Sequence, residues 1–459
     1  MNDSMTFAEL ERHALKLESE RDLVNAAAAF EAALRLNDAS QSCAEGRARI
    51  AIQLRDDNAA EHCARALAFH ENNPQLQLRM IATAVANLGI SASPLLDAYL
   101  DRHPRDIGAL ELMAGLQAEA GAGDDFVDRY RSAMSGQPPN KQLLMSYWNV
   151  LSRSGRLSDA LESMDANRTF LENDRDFRML EIGIAAHAGQ IDRASKLLEE
   201  QDDRPDAQLA RGLNRLQRGD PAKAARFLEE VVSLQAGNLE AWSLLELAWR
   251  MTEDRRHAWL VGEPKMYGAK TLNLTNQQLG EIAVTLRALH QASAQPIGQS
   301  VRGGTQTPGQ LFGRTEPEIA LLVNALTAAI KDFVIDLPPS DQNHPVLRYR
   351  EAGMAFGPSW SIRFTDSGHH AAHFHPGGIL SSACYICVPD TLADDIEKPG
   401  WLEIGRPPPE LGLDIPPLET FQPLPGRLVL FPSFLFHGTR PFAGGERLTV
   451  AFDVVPVQA

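Results

Sequence analysis

The sequence has little of what marks secreted, membrane-spanning or nucleic-acid-binding proteins. It holds 4 cysteines in 459 residues, a usage typical of a reducing compartment, and its N-terminus lacks the charge and the apolar core of a signal peptide. No apolar run approaches the roughly 20 residues that span a bilayer. The formal net charge of −16 argues against nucleic acid and against an anionic membrane surface, which attract basic segments. We therefore expect a cytoplasmic protein with neither partner.

The length indicates several domains. A chain of 459 residues with 44% hydrophobic residues can bury a core in each of two or three domains. Its composition predicts a helical repeat array over residues 1–250, a linker over 251–274 and a second domain over 275–459. Within the second domain, residues 275–340 are expected to form supporting helices, including Asn276–Ala292 and Glu316–Val334, and residues 341–459 a β-core.

Turn residues recur at a nearly constant step in the first half, which is rich in Ala and Leu with helical periodicity. The steps are mostly 32 to 35 residues, with turns at Arg21-Asp22, Asp56-Asp57, Gly89, Gly121, Gly155, Gly189 and Gly219-Asp220. Small residues that let antiparallel helices approach follow several turns: Ala26, Ala60, Ala160, Ala194 and Ala224. This half resembles a tetratricopeptide superhelix of about seven units, which typically binds extended peptides or a partner helix. A generic helical bundle is the alternative.

Short runs of Val, Ile, Phe and Tyr between Gly and Pro residues characterise the chain from His344 onward. The pattern predicts eight strands, at Leu347–Tyr349, Ser359–Phe364, Ala371–His375, Ser381–Val388, Trp401–Ile404, Arg427–Phe431, Phe434–His437 and Arg447–Val455. Eight short strands fit a double-stranded β-helix, the jelly-roll form of the cupins. The predicted fold is thus multidomain, with an all-α tetratricopeptide-like superhelix followed by a jelly roll with supporting helices.

Three histidines in the β-core have the spacing of a metal site. His373 and His375 form an H-x-H pair, and residues i and i+2 of a strand point to the same face. His437, from a distant strand, can supply a third nitrogen. Neutral imidazole suits iron, zinc, copper or nickel, so these residues leave the metal open. His369 and His370 follow a glycine and are expected on a loop, outside the ligand set.

Arg447 follows the last of these histidines by ten residues, in an alternating strand. Because Leu448, Val450 and Phe452 form the apolar face, Arg447, Thr449 and Ala451 share the other face. A buried Arg requires an anionic partner and binds a carboxylate with two hydrogen bonds. This face therefore looks like the floor of a ligand site, although a surface pair of Arg447 with Glu446 or Asp453 is the alternative.

Two further patterns have functional and ordinary interpretations. The loop Arg302-Gly303-Gly304 can offer a guanidinium and backbone N–H groups to an anion over a pocket, or it is an ordinary connection, since it lacks the spacing of a phosphate loop. Cys384 and Cys387 form a C-x-x-C inside a predicted strand, where positions i and i+3 face opposite sides. We expect two packed thiols there rather than a redox or zinc site.

The segment from Gln299 to Pro456 resembles the 2-oxoglutarate-Fe(II) oxygenase family that occurs attached to tetratricopeptide repeats in bacteria. The residues that carry the resemblance are Gln299–Thr307 (QSVRGGTQT), Trp360–Arg363 (WSIR), His373–Gly378 (HFHPGG), Ser381–Tyr385 (SSACY), Gly426–Ser433 (GRLVLFPS), His437–Thr439 (HGT) and Glu446–Asp453 (ERLTVAFD).

The resemblance implies a site with two parts. It implies Fe(II) on His373, His375 and His437, and 2-oxoglutarate as cosubstrate with its distal carboxylate on Arg447 and Thr449, assisted by Tyr385. The broader superfamily usually has Asp or Glu where this chain has His375, so His375 is either a ligand or a residue just behind the ligands. Residues that can contact substrate or form a lid are Arg302, Gly303, Gly304, Trp360 and Arg363.

The implied activity is that of an Fe(II)- and 2-oxoglutarate-dependent dioxygenase that uses O2. Because a peptide-binding array precedes the domain, we expect hydroxylation of a side chain in a protein or peptide. Two alternatives remain: a tetratricopeptide interaction protein whose β-domain is a cupin-like metal-binding or inactive module, and a cupin-type dioxygenase with three histidines and no cosubstrate. Arg447 favours the 2-oxoglutarate-dependent dioxygenase, since neither alternative requires a buried Arg beside the histidines.

Overall fold

The computed structural model describes residues 5–20, 22–54, 56–262, 266–290, 292, 294–389, 392 and 397–457. The chain divides into two compact units, Met1–Tyr147 and Trp148–Ala459. The boundary lies inside the predicted repeat array, so that the later repeats belong to the same compact unit as the β-core. Pro264, in the predicted linker, lies outside the described residues.

Helices make up the N-terminal half, as predicted. The α-helices of the described chain are α1 (Phe7–Ser19), α2 (Leu23–Leu36), α3 (Gln41–Leu54), α4 (Ala59–Ala68), α5 (Pro74–Leu88), α6 (Ser93–Arg102), α7 (Ile107–Glu119), α8 (Asp128–Met134), α9 (Lys141–Arg153), α10 (Leu157–Ala166), α11 (Arg168–Leu171), α12 (Arg175–His187), α13 (Ile191–Glu199), α14 (Pro205–Gln217), α15 (Pro221–Leu234), α16 (Leu239–Met251), α17 (Asn276–Leu289) and α18 (Pro317–Asp336).

The repeat turns use a side-chain N-cap, a left-handed glycine, or both, as at Gly219-Asp220. Asp174 and Asp220 accept hydrogen bonds from backbone N–H groups of the first turns of α12 and α15, which satisfies donors that have no partner within the helix. Gly155, Gly189 and Gly219 have φ between 72° and 83°, a region that side chains disfavour. The recurrent glycines of the sequence therefore mark real turns between paired helices.

Small residues allow the paired helices to approach. Ala160, Ala194 and Ala224 are fully buried, whereas Ala60 is half-buried and its neighbour Ala59 takes the inward position. At Gly212 of α14 an added Cβ would lie 2.6 Å from Leu228 of α15. The prediction of a small-residue contact between antiparallel helices is confirmed in this part of the array.

One segment, Pro74–Arg102, is long and apolar enough to cross a membrane by length and composition alone. It is not one α-helix, because a 3-10 turn at Gly89–Ala92 separates α5 from α6. Leu96, Tyr99 and Leu100 of α6 are buried inside the helical unit. Their apolar character is thus used in packing between helices.

Antiparallel strands form the C-terminal half. The described strands are β1 (Gly268–Thr271), β2 (Val301–Arg302), β3 (Thr305–Gln306), β4 (Met354–Phe364), β5 (Ser367–His370), β6 (Leu380–Cys387), β7 (Leu402–Ile404), β8 (Glu419–Phe421), β9 (Arg427–Pro432), β10 (His437–Thr439), β11 (Phe442–Ala443) and β12 (Arg447–Pro456). A six-stranded sheet has the order β1-β9-β6-β12-β4-β3, and two three-stranded sheets have the orders β10-β7-β8 and β11-β5-β2. This is the jelly roll expected from the sequence.

Four predicted elements differ from the structure. Phe434–His437 is a turn followed by a bend, and only His437 lies in a strand, β10. Leu347–Tyr349 is a 3-10 turn rather than a strand, since three apolar residues do not distinguish the two periodicities. Ala371–His375 forms only an isolated bridge between His373 and His437. Gly268–Thr271, inside the predicted linker, is strand β1. It pairs with β9 at the edge of the six-stranded sheet, so these four residues belong to the β-core and not to a connection between domains. The predicted helices near Asn276 and Glu316 are confirmed as α17 and α18.

Helix α16 joins the last repeat to the β-core within the second unit. Every residue from Ala241 to Trp249 is buried. The Ser243 hydroxyl donates to the Phe434 carbonyl at 2.5 Å, and the Arg250 guanidinium donates to the Gly405 carbonyl. These bonds attach the helix to two loops of the jelly roll, so the later repeats and the β-core share one core.

A buried histidine connects this junction to the β-core. His344 is fully buried and lies edge-on to Trp259, with ring centroids 5.0 Å apart. Its Nδ1 accepts hydrogen bonds from the backbone N–H groups of Val346 and Leu347, and its Nε2–H donates to the Leu260 carbonyl at 2.9 Å. Because Nδ1 accepts these hydrogen bonds, it cannot also carry a proton. Burial, together with the nearby charge of Arg348, lowers the pKa of His344 to about 4, although Asp341 opposes the shift.

We expect the second unit to lose stability as the pH falls from about 6.5 towards 4. In this pH range His344 is protonated in the unfolded protein but not in the folded protein. Each unit of pH decrease therefore lowers the unfolding free energy by up to about 1.4 kcal/mol through this group. His344→Gln keeps an amide for both kinds of hydrogen bond but does not titrate. Urea unfolding followed by tryptophan fluorescence at pH 7 and pH 5 should show a smaller decrease for the variant. Equal decreases in both proteins would contradict the assignment.

Candidate active site

The pocket lies between the main sheet and the small sheet β10-β7-β8. Strand β12 supplies Arg447, Thr449 and Ala451 to its wall, as the alternation of the sequence predicted. Trp360 and Tyr385 come from the neighbouring strands β4 and β6. The described lining also contains the three histidines of the predicted metal site, so the structure brings both parts of that site into one cavity.

His373, His375 and His437 converge although the first two do not lie in a regular strand. The His373 N–H donates to the His437 carbonyl at 3.0 Å, the His437 N–H returns the bond at 2.8 Å, and the His375 N–H donates to the Ser433 carbonyl at 2.9 Å. These bonds hold the H-x-H segment against the start of β10. One nitrogen from each ring lies within 4.8 Å of the others, which is the arrangement of a metal site.

Hydrogen bonds select the same tautomer for each of the three rings. The Nδ1–H groups of His373 and His437 donate to the carbonyls of Ala371 and Leu435, at 2.9 and 3.1 Å, and Nδ1–H of His375 donates to Asp453 Oδ1 at 2.6 Å. The Nε2 lone pairs therefore remain free, and those of His373 and His375 are 3.1 Å apart. Lone pairs at this separation repel unless a cation lies between them.

Burial keeps the imidazoles of His373 and His437 neutral. It lowers the pKa of His373 to about 3, with a further contribution from the neighbouring His375, and it lowers the pKa of His437 well below the usual range. A neutral imidazole is the form that binds a metal ion, so at pH 7 no proton has to leave before binding.

Arg447 is fully buried in the same pocket. Its guanidinium packs against the rings of both Phe364 and Phe442, 4.7 and 4.6 Å from the two centroids. Nη1 donates to the Gly400 carbonyl at 3.1 Å and Nη2 donates to Thr439 Oγ1 at 3.3 Å. Burial lowers the pKa of Arg447 to about 10, so the group is still a cation at neutral pH.

The charge of Arg447 is not balanced inside the described part of the chain. No carboxylate there pairs with it, and its buried Nε has no hydrogen-bond acceptor. Glu446 pairs instead with Arg287 and Arg363, and Asp453 pairs with His375, which rules out the surface pairs considered from the sequence. A buried cation without an anion is costly, so the pocket is suited to a ligand that brings a carboxylate.

The Tyr385 hydroxyl is a second polar group that lacks a partner among the described residues. The side chain is 1% exposed, and burial raises its pKa to about 12, so it is a neutral donor. Tyr385 lies opposite Thr449 in the register between β6 and β12, and both residues line the pocket. Two orphaned donors, from Tyr385 and Arg447, fit the carboxylate of 2-oxoglutarate, just as three free imidazole nitrogens fit Fe(II).

Four of the five residues predicted to contact substrate or form a lid do not line this pocket. Arg302 is exposed and donates to the Gln299 and Val301 carbonyls, and Arg363 pairs with Glu446 on the opposite face of β4. Gly303 and Gly304 line a separate polar cavity of about 420 Å³ beside Arg363. An added Cβ at Gly304 would lie 2.8 Å from Phe364, so this glycine permits a close strand contact. Trp360 alone is in the expected place, tilted against His375 with centroids 5.8 Å apart.

Sequence reasoning missed other residues of the site. His370 lines the pocket from strand β5, not from a loop, and its Nδ1 is 3.1 Å from the Ser300 hydroxyl. Asp453 and Ser381 hydrogen-bond each other behind His375. The alternation of β12 offered a signal for Asp453, which continues the face of Arg447, Thr449 and Ala451, but nothing in the sequence identified its partner.

The C-x-x-C pair consists of free thiols. Cys384 is buried, Cys387 is half-buried, and neither forms a disulfide. Burial raises the pKa of the Cys384 thiol to about 12, which keeps it protonated and unreactive. The arrangement agrees with the expectation that the two side chains leave opposite faces of β6.

A family model matches the part of the chain that supplies most of this pocket's lining. Residues 358–453 match the family model described as "Putative 2OG-Fe(II) oxygenase", and the match includes the three histidines, Tyr385, Arg447, Thr449 and Asp453. None of the curated proteins matches the chain significantly.

Solved structures resemble the two halves separately. A tetratricopeptide repeat protein from Parabacteroides merdae is 16% identical, covers 53% of this chain and 98% of its own, and has a TM-score of 0.31. A prolyl-4-hydroxylase from Pseudomonas putida is 13% identical over 43% of this chain and 95% of its own, with a TM-score of 0.29. HygX from Streptomyces hygroscopicus, solved with nickel and 2-oxoglutarate, is 13% identical over 44% of this chain and 87% of its own, with a TM-score of 0.29.

Proposed function

We propose that this protein, whose residues 358–453 form a 2OG-Fe(II) oxygenase domain, is a hydroxylase of a polypeptide side chain. The observation that carries the proposal is a buried cation without a carboxylate partner among the described residues, in the same pocket as three converging imidazoles. In the proposed complex, Fe(II) is bound by His373, His375 and His437. The distal carboxylate of 2-oxoglutarate is bound by Arg447, Thr449 and Tyr385. A metal site that needs no acidic cosubstrate has no use for Arg447.

The bound iron and 2-oxoglutarate supply the chemistry, in which O2 converts 2-oxoglutarate to succinate and CO2 while a substrate C–H bond becomes C–OH. The chain's contribution is placement. Backbone carbonyls fix the rings of His373 and His437, and Phe364 and Phe442 pack against the Arg447 guanidinium. A side chain held in advance loses little conformational entropy when its ligand binds.

The pocket also excludes water from the reacting groups. Arg447, Tyr385, Thr449 and His437 are each less than 7% exposed. In such surroundings the attraction between Arg447 and a carboxylate is stronger than in water, and reactive species are protected from solvent.

The repeat array supports a polypeptide substrate, since arrays of this kind bind extended peptides or a partner helix in a groove. The later repeats are built into the same compact unit as the β-core, so an extended segment held by them lies at a constant position relative to the catalytic domain. The four free cysteines agree with action in a reducing compartment such as the cytoplasm.

The proposal is tested by cosubstrate binding and turnover. Fe(II)-loaded protein should develop a weak visible charge-transfer band when 2-oxoglutarate is added without oxygen. In air, succinate formation should rise with a pool of peptides and not with the same pool hydrolysed to amino acids. Absence of the band would refute the oxygenase assignment for this chain, and equal stimulation by both pools would refute the polypeptide substrate.

We expect Tyr385→Phe to raise the KM for 2-oxoglutarate about tenfold, because one hydrogen bond to a charged group contributes about 1.5 kcal/mol. Without cosubstrate the variant should melt at the same temperature or higher, since it no longer buries an unpaired hydroxyl. Tyr349→Phe, in the 3-10 turn at Leu347–Tyr349, is the matched control and should leave KM unchanged. An unchanged KM in Tyr385→Phe would remove this residue from the cosubstrate site.

A further inference from the structure

The three imidazoles differ in what their Nδ1–H groups contact. Those of His373 and His437 donate to neutral backbone carbonyls, whereas that of His375 donates to the Asp453 carboxylate at 2.6 Å. Among the residues that the structure describes, Asp453 is the one carboxylate that hydrogen-bonds any of these rings. The asymmetry gives His375 a distinct electronic character.

A tight network holds Asp453 in this position. Ser381 lies opposite Asp453 in the pairing of β6 with β12, and its hydroxyl donates to Asp453 Oδ1 at 2.7 Å. The Ser433 hydroxyl is 2.9 Å from Ser381 Oγ. All three side chains are buried, and a Cβ at Gly378 would lie 2.6 Å from Ser433 Oγ and 3.0 Å from Asp453 Cβ. The network has no room to rearrange, which is typical of a built support rather than a surface contact.

Electrostatics gives this support a role. Three neutral imidazoles do not compensate the charge of a divalent cation, and an uncompensated charge in a buried pocket is unfavourable. A carboxylate that accepts the Nδ1–H bond of a ligating histidine raises the basicity of Nε2 and lowers the net charge of the centre.

We propose that Asp453 is a positioning residue for the metal ligand His375. Its carboxylate orients the His375 ring through one hydrogen bond and supplies negative charge to the metal centre. Strand β12 then carries both functions on one face. Arg447 at its start anchors the cosubstrate, and Asp453 near its end sets the charge and orientation of a metal ligand. This inference rests on the proposed metal site.

The test measures metal binding and redox behaviour, neither of which requires turnover. Asp453→Asn keeps an oxygen that accepts the His375 bond but removes the charge. We expect its Co(II) affinity, measured by chelator competition, to fall about 10- to 100-fold. The Fe(III)/Fe(II) potential of the iron-loaded variant should rise, because Fe(III) gains most from the negative charge. Ser381→Ala, which leaves the carboxylate in place, should show a smaller loss of affinity.

Two controls separate this role from a structural one. Asp336→Asn makes the same charge change on the surface pair with Lys270 and should bind Co(II) as the wild type does. If Asp453→Asn fails to fold, 15N NMR of the Zn(II)-loaded wild type decides the question. It should show protonated Nδ1 on all three rings and the most downfield proton on His375.

The possible results distinguish a failure of the role of Asp453 from a failure of the proposed oxygenase function. Wild-type affinity and potential in Asp453→Asn, or an unprotonated Nδ1 on His375, would overturn the role of Asp453 and leave the oxygenase assignment intact. Wild-type protein that binds neither Co(II) nor Fe(II) would overturn both.

Discussion

Replacement of Arg447 by methionine should abolish 2-oxoglutarate binding while the metal stays bound. The guanidinium is 1% exposed and has no carboxylate partner among the described residues, so in the proposed complex it forms a buried ion pair with the cosubstrate. Loss of one member of a buried pair costs about 3–5 kcal/mol, which corresponds to a weakening of more than about 100-fold. Methionine keeps the apolar contact with Phe364 and Phe442.

The measurement is the anaerobic visible band together with metal content. Arg447→Met should keep one metal ion per chain and lose the band at 2-oxoglutarate concentrations that saturate the wild type. Arg363→Met is the matched control, since Arg363 lies on β4 beside the same sheet but pairs with Glu446 away from the pocket. A band of normal intensity in Arg447→Met would show that another residue anchors the cosubstrate. Loss of both metal and band would mean that Arg447 supports the fold of the centre.

Replacement of His437 by glutamine should have the largest effect on metal binding. His437 contributes one of three free Nε2 atoms, and its backbone also bonds to His373 in both directions. Losing a direct ligand should weaken binding beyond the 10- to 100-fold that is typical for a residue behind the ligands. The backbone bonds survive the substitution, so the variant should still fold.

Thermal melting with and without Co(II) provides the readout. A ligand that binds only the folded state raises its stability with concentration, and this increase should be present in the wild type and absent in His437→Gln. His370→Gln is the matched control, because His370 lines the same pocket but lies outside the group of three. An equal increase in both variants would remove His437 from the metal site, and a loss of the increase in His370→Gln would add His370 to it.

Local patterns were sufficient for the order of the two halves and for several residues that line the candidate pocket. The period of the turns predicted paired helices, because a left-handed glycine such as Gly155 and an N-cap such as Asp174 end and begin helices through local backbone chemistry. Strand alternation predicted that Arg447, Thr449 and Ala451 share one face, since the side-chain period of two depends only on the backbone. Short elements were less predictable, as the 3-10 turn at Leu347–Tyr349 shows.

Contacts between distant segments account for what sequence reasoning missed or misplaced. The convergence of His373 with His437 arises from backbone bonds between a loop and the start of strand β10, and the partner of His375 is Asp453, 78 positions along the chain. The loop Arg302-Gly303-Gly304 had two interpretations, a loop over the pocket or an ordinary connection, and the structure favours the second, since its strand pairs with β5 and Arg302 is exposed.

By itself, the sequence determined the residue types of the centre and the faces on which they lie, because ligand chemistry and strand periodicity are local properties. Only the tertiary structure decided that Arg447 is a buried cation with no described counter-ion, that three Nε2 lone pairs meet, and that Asp453 stands behind His375. These are properties of burial and of pairing between remote strands, which depend on how the sheets pack rather than on neighbouring residues.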